Sequence, residues 1–231
     1  MNNFFKIYGL RTSGTNWLQW LIENNINDSV VFRNQLGWKH GNPTNILDWS
    51  GDIIEWDDKD NLGYEYKSVL KSIQNEKLNN NKTIMQMKNE VEESFKSQNL
   101  IHCFIVKNPY NFMNSRLKRN KDLNIEMGDW NARIKSYFDF DYKSKIIISY
   151  ENLNMNPKKV LENISNKFGL SVNPNFKDID SNLTHGFDVN GKRKRLDSNF
   201  ENYFKSKFDK NILDRIDSLI DKESLKLYNS L

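Results

Sequence analysis

Two short segments of this 231-residue chain carry side chains able to hold an anion. The first, Gly9-Leu10-Arg11-Thr12-Ser13-Gly14-Thr15-Asn16, lies between the apolar Phe4-Phe5-Lys6-Ile7-Tyr8 and the apolar-dense Trp17-Leu18-Gln19-Trp20-Leu21-Ile22. A loop that opens a helix presents converging N–H groups, and the helix dipole adds to their pull on negative charge. The spacing Gly9…Gly14 is that of a nucleotide-phosphate loop. Thr15 and Asn16, however, stand where an NTPase carries its Lys and its magnesium-binding hydroxyl, so triphosphate hydrolysis is disfavoured and another phosphate-like group is implied. A simpler reading is also open, in which Ser13-Gly14-Thr15 only turns the chain and caps the helix. The second segment is Lys107-Asn108-Pro109, with Ser115 eight residues after the Lys. A cation at the end of a strand and a hydroxyl on the following helix can both reach one anion.

The elements that must hold these groups follow from apolar patterning. Phe4-Phe5-Lys6-Ile7-Tyr8, Val30-Val31-Phe32, Leu36-Gly37-Trp38, residues 100–106 and Lys145-Ile146-Ile147-Ile148-Ser149-Tyr150 read as strands, the longer runs buried on both faces. Helices are expected at residues 17–22, 84–96, 111–119, 130–140 and 157–168, the last opened by Pro157 and closed by Gly169, with one amphipathic helix beyond Asp209. Strands alternating with helices predict an α/β fold: a three-layer, P-loop-type domain whose central, mainly parallel sheet is flanked by helices. No repeat or Pro/Gly/Ser linker interrupts the chain, so residues 1–231 are expected to form one domain. At this length, with 37% hydrophobic residues, one core is affordable.

Composition narrows the chemistry. Thirty-four Lys and Arg against 30 Asp and Glu leave a net charge of +4, too little for a surface that coats nucleic acid, although Lys192-Arg193-Lys194-Arg195 concentrates cations locally. One cysteine, Cys103, excludes an internal disulfide framework and a Cys-rich zinc site, and a reducing compartment is expected. No apolar stretch approaches the roughly 18 residues of a membrane span, and the first residues do not read as an export signal. A cytoplasmic protein with no membrane association is the expectation. No metal site is expected, since no Asp, Glu, His or Cys cluster has ligand spacing.

Taken together, Ser13-Gly14-Thr15-Asn16-Trp17 and Lys107-Asn108-Pro109 with Ser115 resemble the two signature motifs of the PAPS-dependent sulfotransferases (PAPS is 3′-phosphoadenosine 5′-phosphosulfate). That family has Lys-Ser-Gly-Thr-Thr-Trp in the first loop, and Arg-Asn-Pro followed by Ser, eight residues after the Arg, in the second. Tyr150-Glu151-Asn152-Leu153, with Asn156-Pro157 and Phe168-Gly169-Leu170, is similar to a third family segment. The resemblance runs from about Phe5 to about Leu170, and residues 41–98 form an unmatched, variable insert on the acceptor side.

The resemblance implies a P-loop-type fold, PAPS as co-substrate with PAP as product, and transfer of a sulfuryl group to a hydroxyl or amine. It places the 5′-phosphate on the loop amides with Ser13, Gly14, Thr15 and Asn16, and the 3′-phosphate on Lys107 and Ser115. It matches Trp17 to an adenine-stacking indole, with core packing as the other reading, and makes Tyr150 an adenine-side candidate. Thr12 stands where many members carry a catalytic lysine, so Arg11, the nearest cation, is assigned to charge on the bridging oxygen. His40, in Trp38-Lys39-His40-Gly41, resembles the family's general base, with Lys39 adding positive charge; a surface histidine is the other reading. Arg193 and Lys194 lie where the family closes over the 3′-phosphate, though a solvated basic turn fits the same residues. His102 and His185 read as structural and loop residues. The acceptor is expected to be a small molecule or carbohydrate. Its identity and the oligomeric state are not readable from the chain, although aromatics within 49–81 suit an acceptor wall. The other functions open to these residues are an inactive PAP-binding protein of the same fold, a small-molecule P-loop kinase, and RNA binding.

Overall fold

A computed structural model describes residues 3–32, 39–40, 99–141, 143–178 and 196–231. The strand expected at 36–38, the helix at 84–96, the insert at 41–98, His185 and the basic run with Arg193 and Lys194 lie outside the described residues. In chain order the elements are β1 (Asn3–Gly9), α1 (Thr15–Asn25), β2 (Ser29–Phe32), β3 (Asn99–Val106), α2 (Pro109–Leu117), α3 (Leu123–Asp139) and β4 (Lys145–Ser149), followed by α4 (Tyr150–Met155), α5 (Pro157–Phe168), α6 (Phe200–Lys205), α7 (Lys210–Leu219) and α8 (Lys222–Asn229).

The four strands pair in parallel in the order β2-β1-β3-β4. Register puts Phe5 beside Val31 and Ile101, Ile7 beside Cys103, and Cys103 beside Ile146. Side chains alternate across a sheet, so these residues share one face. There they pack with Trp17, Leu18, Leu21 and Ile22 of α1 and Val160, Leu161 and Ile164 of α5. The opposite face, with Tyr8, Phe104 and Val106, is covered by α2 and α3 and touched by Phe204, Ile216 and Tyr228 of the C-terminal helices. Burial on both faces is why the strands read as apolar runs without alternation. His102 belongs to this second layer, 1% exposed and stacked on Tyr8 and Phe104. Cys103 is buried in the first, and burial pushes its thiol up, which keeps it protonated.

Helix ends are set by local chemistry. Asn108 caps α2, accepting from Tyr110 N and Asn111 N, with Pro109 at the first helical position, so α2 starts two residues earlier than apolar spacing suggests. Asp122 caps α3 in the same way, so α3 starts at Leu123, seven residues before the expected start. α5 runs as expected from Pro157 to Phe168, and Gly169 closes it at φ +65°. Tyr150 does not end β4: Ser149 caps a short helix that begins there. The tail holds two helices where one was expected, because Ile220 is extended and Asp221 caps a new start, accepting from Ser224 N.

β1 lies between β2, which follows it through α1, and β3, which lies on its other side. The order in which the chain adds strands therefore reverses between β1 and β3, and in open parallel sheets ligands bind at such a switch point, beyond the strand C-termini. The loops leaving β1 and β3 carry the two segments in which the sequence suggested an anion site.

Candidate functional site

The loop after β1 owes its shape to two left-handed residues, Thr12 at φ +70° and Gly14 at φ +86°. Ser13 N donates to Leu10 O at 3.1 Å, closing the turn. Gly9 is where the loop folds back on the sheet: a Cβ there would meet the Ser13 hydroxyl and lie 3.1 Å from Ile105 O. Gly14 is the N-cap of α1, and no side chain caps this helix. Ser13-Gly14-Thr15 thus does turn the chain and open the helix, with the backbone of Gly14 as the cap and no side chain in that role. The hydroxyl oxygens of Thr12 and Ser13 are buried and have no hydrogen-bond partner among the described residues. Buried polar atoms are ordinarily paired, so the loop holds acceptor and donor capacity that the protein itself does not use.

Gly14→Ala is expected to cost roughly 1–3 kcal/mol, because a Cβ would combine a disfavoured φ with a 2.9 Å approach to two carbons of the Tyr150 ring. Thermal melting checks this; a melting temperature unchanged from the parent would mean that the ring moves freely aside.

Lys107 reaches this loop from the end of β3. Its Nζ donates to Ser115 Oγ at 2.9 Å and to Thr12 O at 3.3 Å, and lies 4.7 Å from the centre of the Tyr150 ring. Its own carbonyl accepts from Trp130 Nε1 at 2.8 Å, which fixes the backbone beneath the side chain. The next residue, Asn108, gives its N–H to the Glu151 carboxylate. Glu151 is 1% exposed and also accepts from Asn111 Nδ2 and Tyr228 OH. Burial holds its carboxyl above the usual carboxylate range, against the opposing pull of those donors and of Lys107.

Residues 39–40 straddle Gly9. Gly9 N donates to Lys39 O at 2.8 Å, and His40 Nδ1 lies 2.7 Å from Gly9 O. A carbonyl only accepts, so Nδ1 carries the proton and Nε2 carries the lone pair. Lys39 Nζ donates to Asn16 Oδ1 at the start of α1. Burial lowers the His40 pKa to about 4; the Gly9 carbonyl opposes this, and the positive charges of Lys39, Arg11 and Arg133 reinforce it. The surface reading of His40 is thus corrected to a partly buried, neutral imidazole.

The sign of the resulting pH dependence follows directly. Between pH 6.5 and about 4 the unfolded chain binds a proton at residue 40 that the folded chain refuses. Stability fully present above pH 6.5 is therefore lost as the pH falls toward 4, by at most roughly 3 kcal/mol and less where solvent screens the site. His40→Gln should remove this component. Urea titrations at pH 7 and pH 4.5 on both proteins test it, and an equal acid loss in the variant would count against it.

A cavity of about 600 Å³ joins these groups. Arg11, Thr12, Gly14, Thr15, Asn16 and Trp17 line it from the first loop and α1, Lys107, Ser115 and Tyr150 from the second segment and α4, and Lys39 and His40 from the side. Ser13 sits behind the lining, fully buried. Trp17 is 2% exposed and part of the core, its ring edge-on to Tyr150 with centres 6.5 Å apart. Two cations not singled out in the sequence, Lys118 and Arg119, also line the cavity. They follow directly on α2, and only the position of Ser115 one turn earlier could have drawn attention to them.

No family model and no curated protein matches this chain. Among solved structures it is similar to the sulfotransferase domain from the Synechococcus PCC 7002 olefin synthase, at 16% identity and a TM-score of 0.43, over 100% of this chain and 94% of that one. It is also similar to the sulfotransferase domain from the curacin biosynthetic pathway, at 11% identity and a TM-score of 0.44, over 100% of this chain and 97% of that one.

Proposed function

We propose that this protein is a PAPS-dependent sulfotransferase acting on a hydroxyl or amine of a small-molecule or carbohydrate acceptor. The observation that carries this reading is the meeting of the two anion-binding segments: Lys107 Nζ bonds both Ser115 Oγ and Thr12 O across one cavity. PAPS carries a phosphosulfate at one end and an isolated phosphate at the other, and the cavity offers cations to both. The hydroxyl of Thr12, on the cavity wall and without a partner among the described residues, and the start of α1, which no side chain caps, fit the same kind of ligand.

In this reading the amides of Gly14 to Asn16 hold the 5′-phosphate, and Lys107 with Ser115 holds the 3′-phosphate. Lys118 and Arg119 add charge at that end. Tyr150 and the edge of Trp17 border the adenine. PAPS supplies an activated sulfuryl group. Arg11 and Lys39 neutralise the charge that develops on the departing phosphate oxygen, a preorganised electrostatic effect in a partly desolvated site. His40 Nε2 accepts the acceptor's proton, its ring oriented by the Nδ1–H bond to Gly9 O. Negative charge in the cavity would raise the His40 pKa from its low value toward the range where a base is effective.

PAP, AMP and Mg-ATP compared by thermal shift test the reading. A ligand at about 100 times its Kd stabilises the native state by roughly 2.7 kcal/mol, so PAP should raise the melting temperature by several degrees and AMP, lacking the 3′-phosphate, by much less. A shift with Mg-ATP alone, or none with PAP, would overturn the assignment.

A further inference from the structure

Arg11 and His40 also line a second cavity, of about 500 Å³, bounded by the first loop and by helices α2 and α3. Its wall combines apolar Leu10, Phe112 and Ile125 with the buried Arg116–Glu126 pair, Asp129 and Arg133. Ile125 is 72% exposed and stands at the cavity's open side. The two arginines of α2 and α3 differ sharply. Arg116 is satisfied within the protein: its Nε and Nη2 bond the two Glu126 oxygens at 2.7 and 2.6 Å. Arg133 is not. Its Nη2 stands 3.6 Å from a half-exposed Asp129 oxygen, too far for a hydrogen bond, and its Nη1 is shielded from solvent with no hydrogen-bond partner among the described residues. A guanidinium that has given up water at one nitrogen without gaining an acceptor is costly unless an anion arrives to complete it.

We propose that this second cavity is the acceptor site, and that its acceptor is a hydroxyl compound bearing an anionic group, a carboxylate or a phosphate monoester, which Arg133 holds while the hydroxyl faces His40. The assignment rests on the sulfotransferase reading, because that reading makes His40 the base between the two cavities. The hydrocarbon between hydroxyl and anion lies against Leu10, Phe112 and Ile125. Arg133 is also near enough to add to the depression of the His40 pKa, in keeping with its place on the same cavity.

The test uses two pairs of probes with saturating PAP present: 4-hydroxyphenylacetate against its neutral amide, and glycerol 3-phosphate against glycerol. Binding is read by calorimetry. At least one anionic probe should bind the parent protein about tenfold or more tightly than its neutral partner; the pair that discriminates tells carboxylate from phosphate. Arg133→Met should erase that preference and Arg133→Lys should restore part of it, with the PAP affinity of both variants unchanged. Equal binding of neutral and anionic probes, no binding of either anion at millimolar concentration, or an anion preference that survives in Arg133→Met would each overturn the proposal. The parent comparison needs no variant, and ligand-free melting of each variant shows whether it is folded. The same titrations without PAP separate the two ideas. If PAP does not bind but an Arg133-dependent anion preference persists, the sulfotransferase reading fails and the anion site stands.

Discussion

PAP affinity is expected to fall about a hundredfold in Lys107→Met. Lys107 is 4% exposed, and its ammonium is held between Ser115 Oγ and Thr12 O, so its position is set before any ligand arrives. Methionine keeps most of the chain volume and removes the charge. With two of its three N–H groups given to Ser115 Oγ and Thr12 O, the ammonium has one left for a phosphate oxygen, and one charge-assisted hydrogen bond worth about 1.5–3 kcal/mol accounts for a loss of this size. Adenosine 5′-phosphosulfate, which lacks the 3′-phosphate, is the internal control, because its affinity should be nearly the same in parent and variant. Calorimetry with both ligands decides the matter. A variant that binds PAP within threefold of the parent would remove Lys107 from the 3′-phosphate site, and equal losses for both ligands would mean that the substitution had disturbed the loop.

The largest loss of stability is expected at Glu151, a residue without any proposed contact to ligand. Its carboxylate accepts from Asn108 N at 3.2 and 3.1 Å, Asn111 Nδ2 at 2.6 Å, Tyr228 OH at 2.9 Å and Ser149 Oγ at 3.3 Å. It thereby ties the end of β3, the first turn of α2, β4 and the C-terminal α8 to one point. Glu151→Ala strands several buried donors at once, and a loss of about 3–5 kcal/mol is expected. Glu151→Gln retains one acceptor oxygen but turns an NH₂ toward donors, so it should fall between the two. Urea denaturation measures both. Asn108 also caps the helix that carries Ser115, so PAP affinity should weaken in Glu151→Ala even when the protein remains folded. A stability loss under about 1 kcal/mol would show that water readily replaces the carboxylate.

Much of the local structure was legible in the sequence because its causes lie within a few residues of each other. Apolar runs, Asn108-Pro109 and the Pro157 and Gly169 boundaries act through the backbone within one turn. The strand–loop–helix around Gly9 to Asn16 and the parallel, helix-flanked sheet followed from the same patterns. Where the reading slipped, a polar cap outweighed apolar spacing: Asp122 starts α3 early, Ser149 turns Tyr150 from a strand end into a helix start, and Asp221 divides the tail.

The tertiary structure alone decided what stands beside what. Strand order is set by which faces must be buried together, and no residue announces it. Only the placement of β1 next to β3 brings Lys107, 95 residues later, onto the carbonyl of Thr12. The histidine was visible as a residue type, but its neutral tautomer depends on the carbonyl of Gly9, 31 residues away, and on burial that spacing does not encode. The same holds for Lys118 and Arg119 on the first cavity and for the incompletely paired Arg133 on the second. Hydrogen bonding and desolvation are short-ranged in space and indifferent to distance along the chain, so the sequence by itself determined the local elements and the chemical types on them, and only the packed sheet decided their partners.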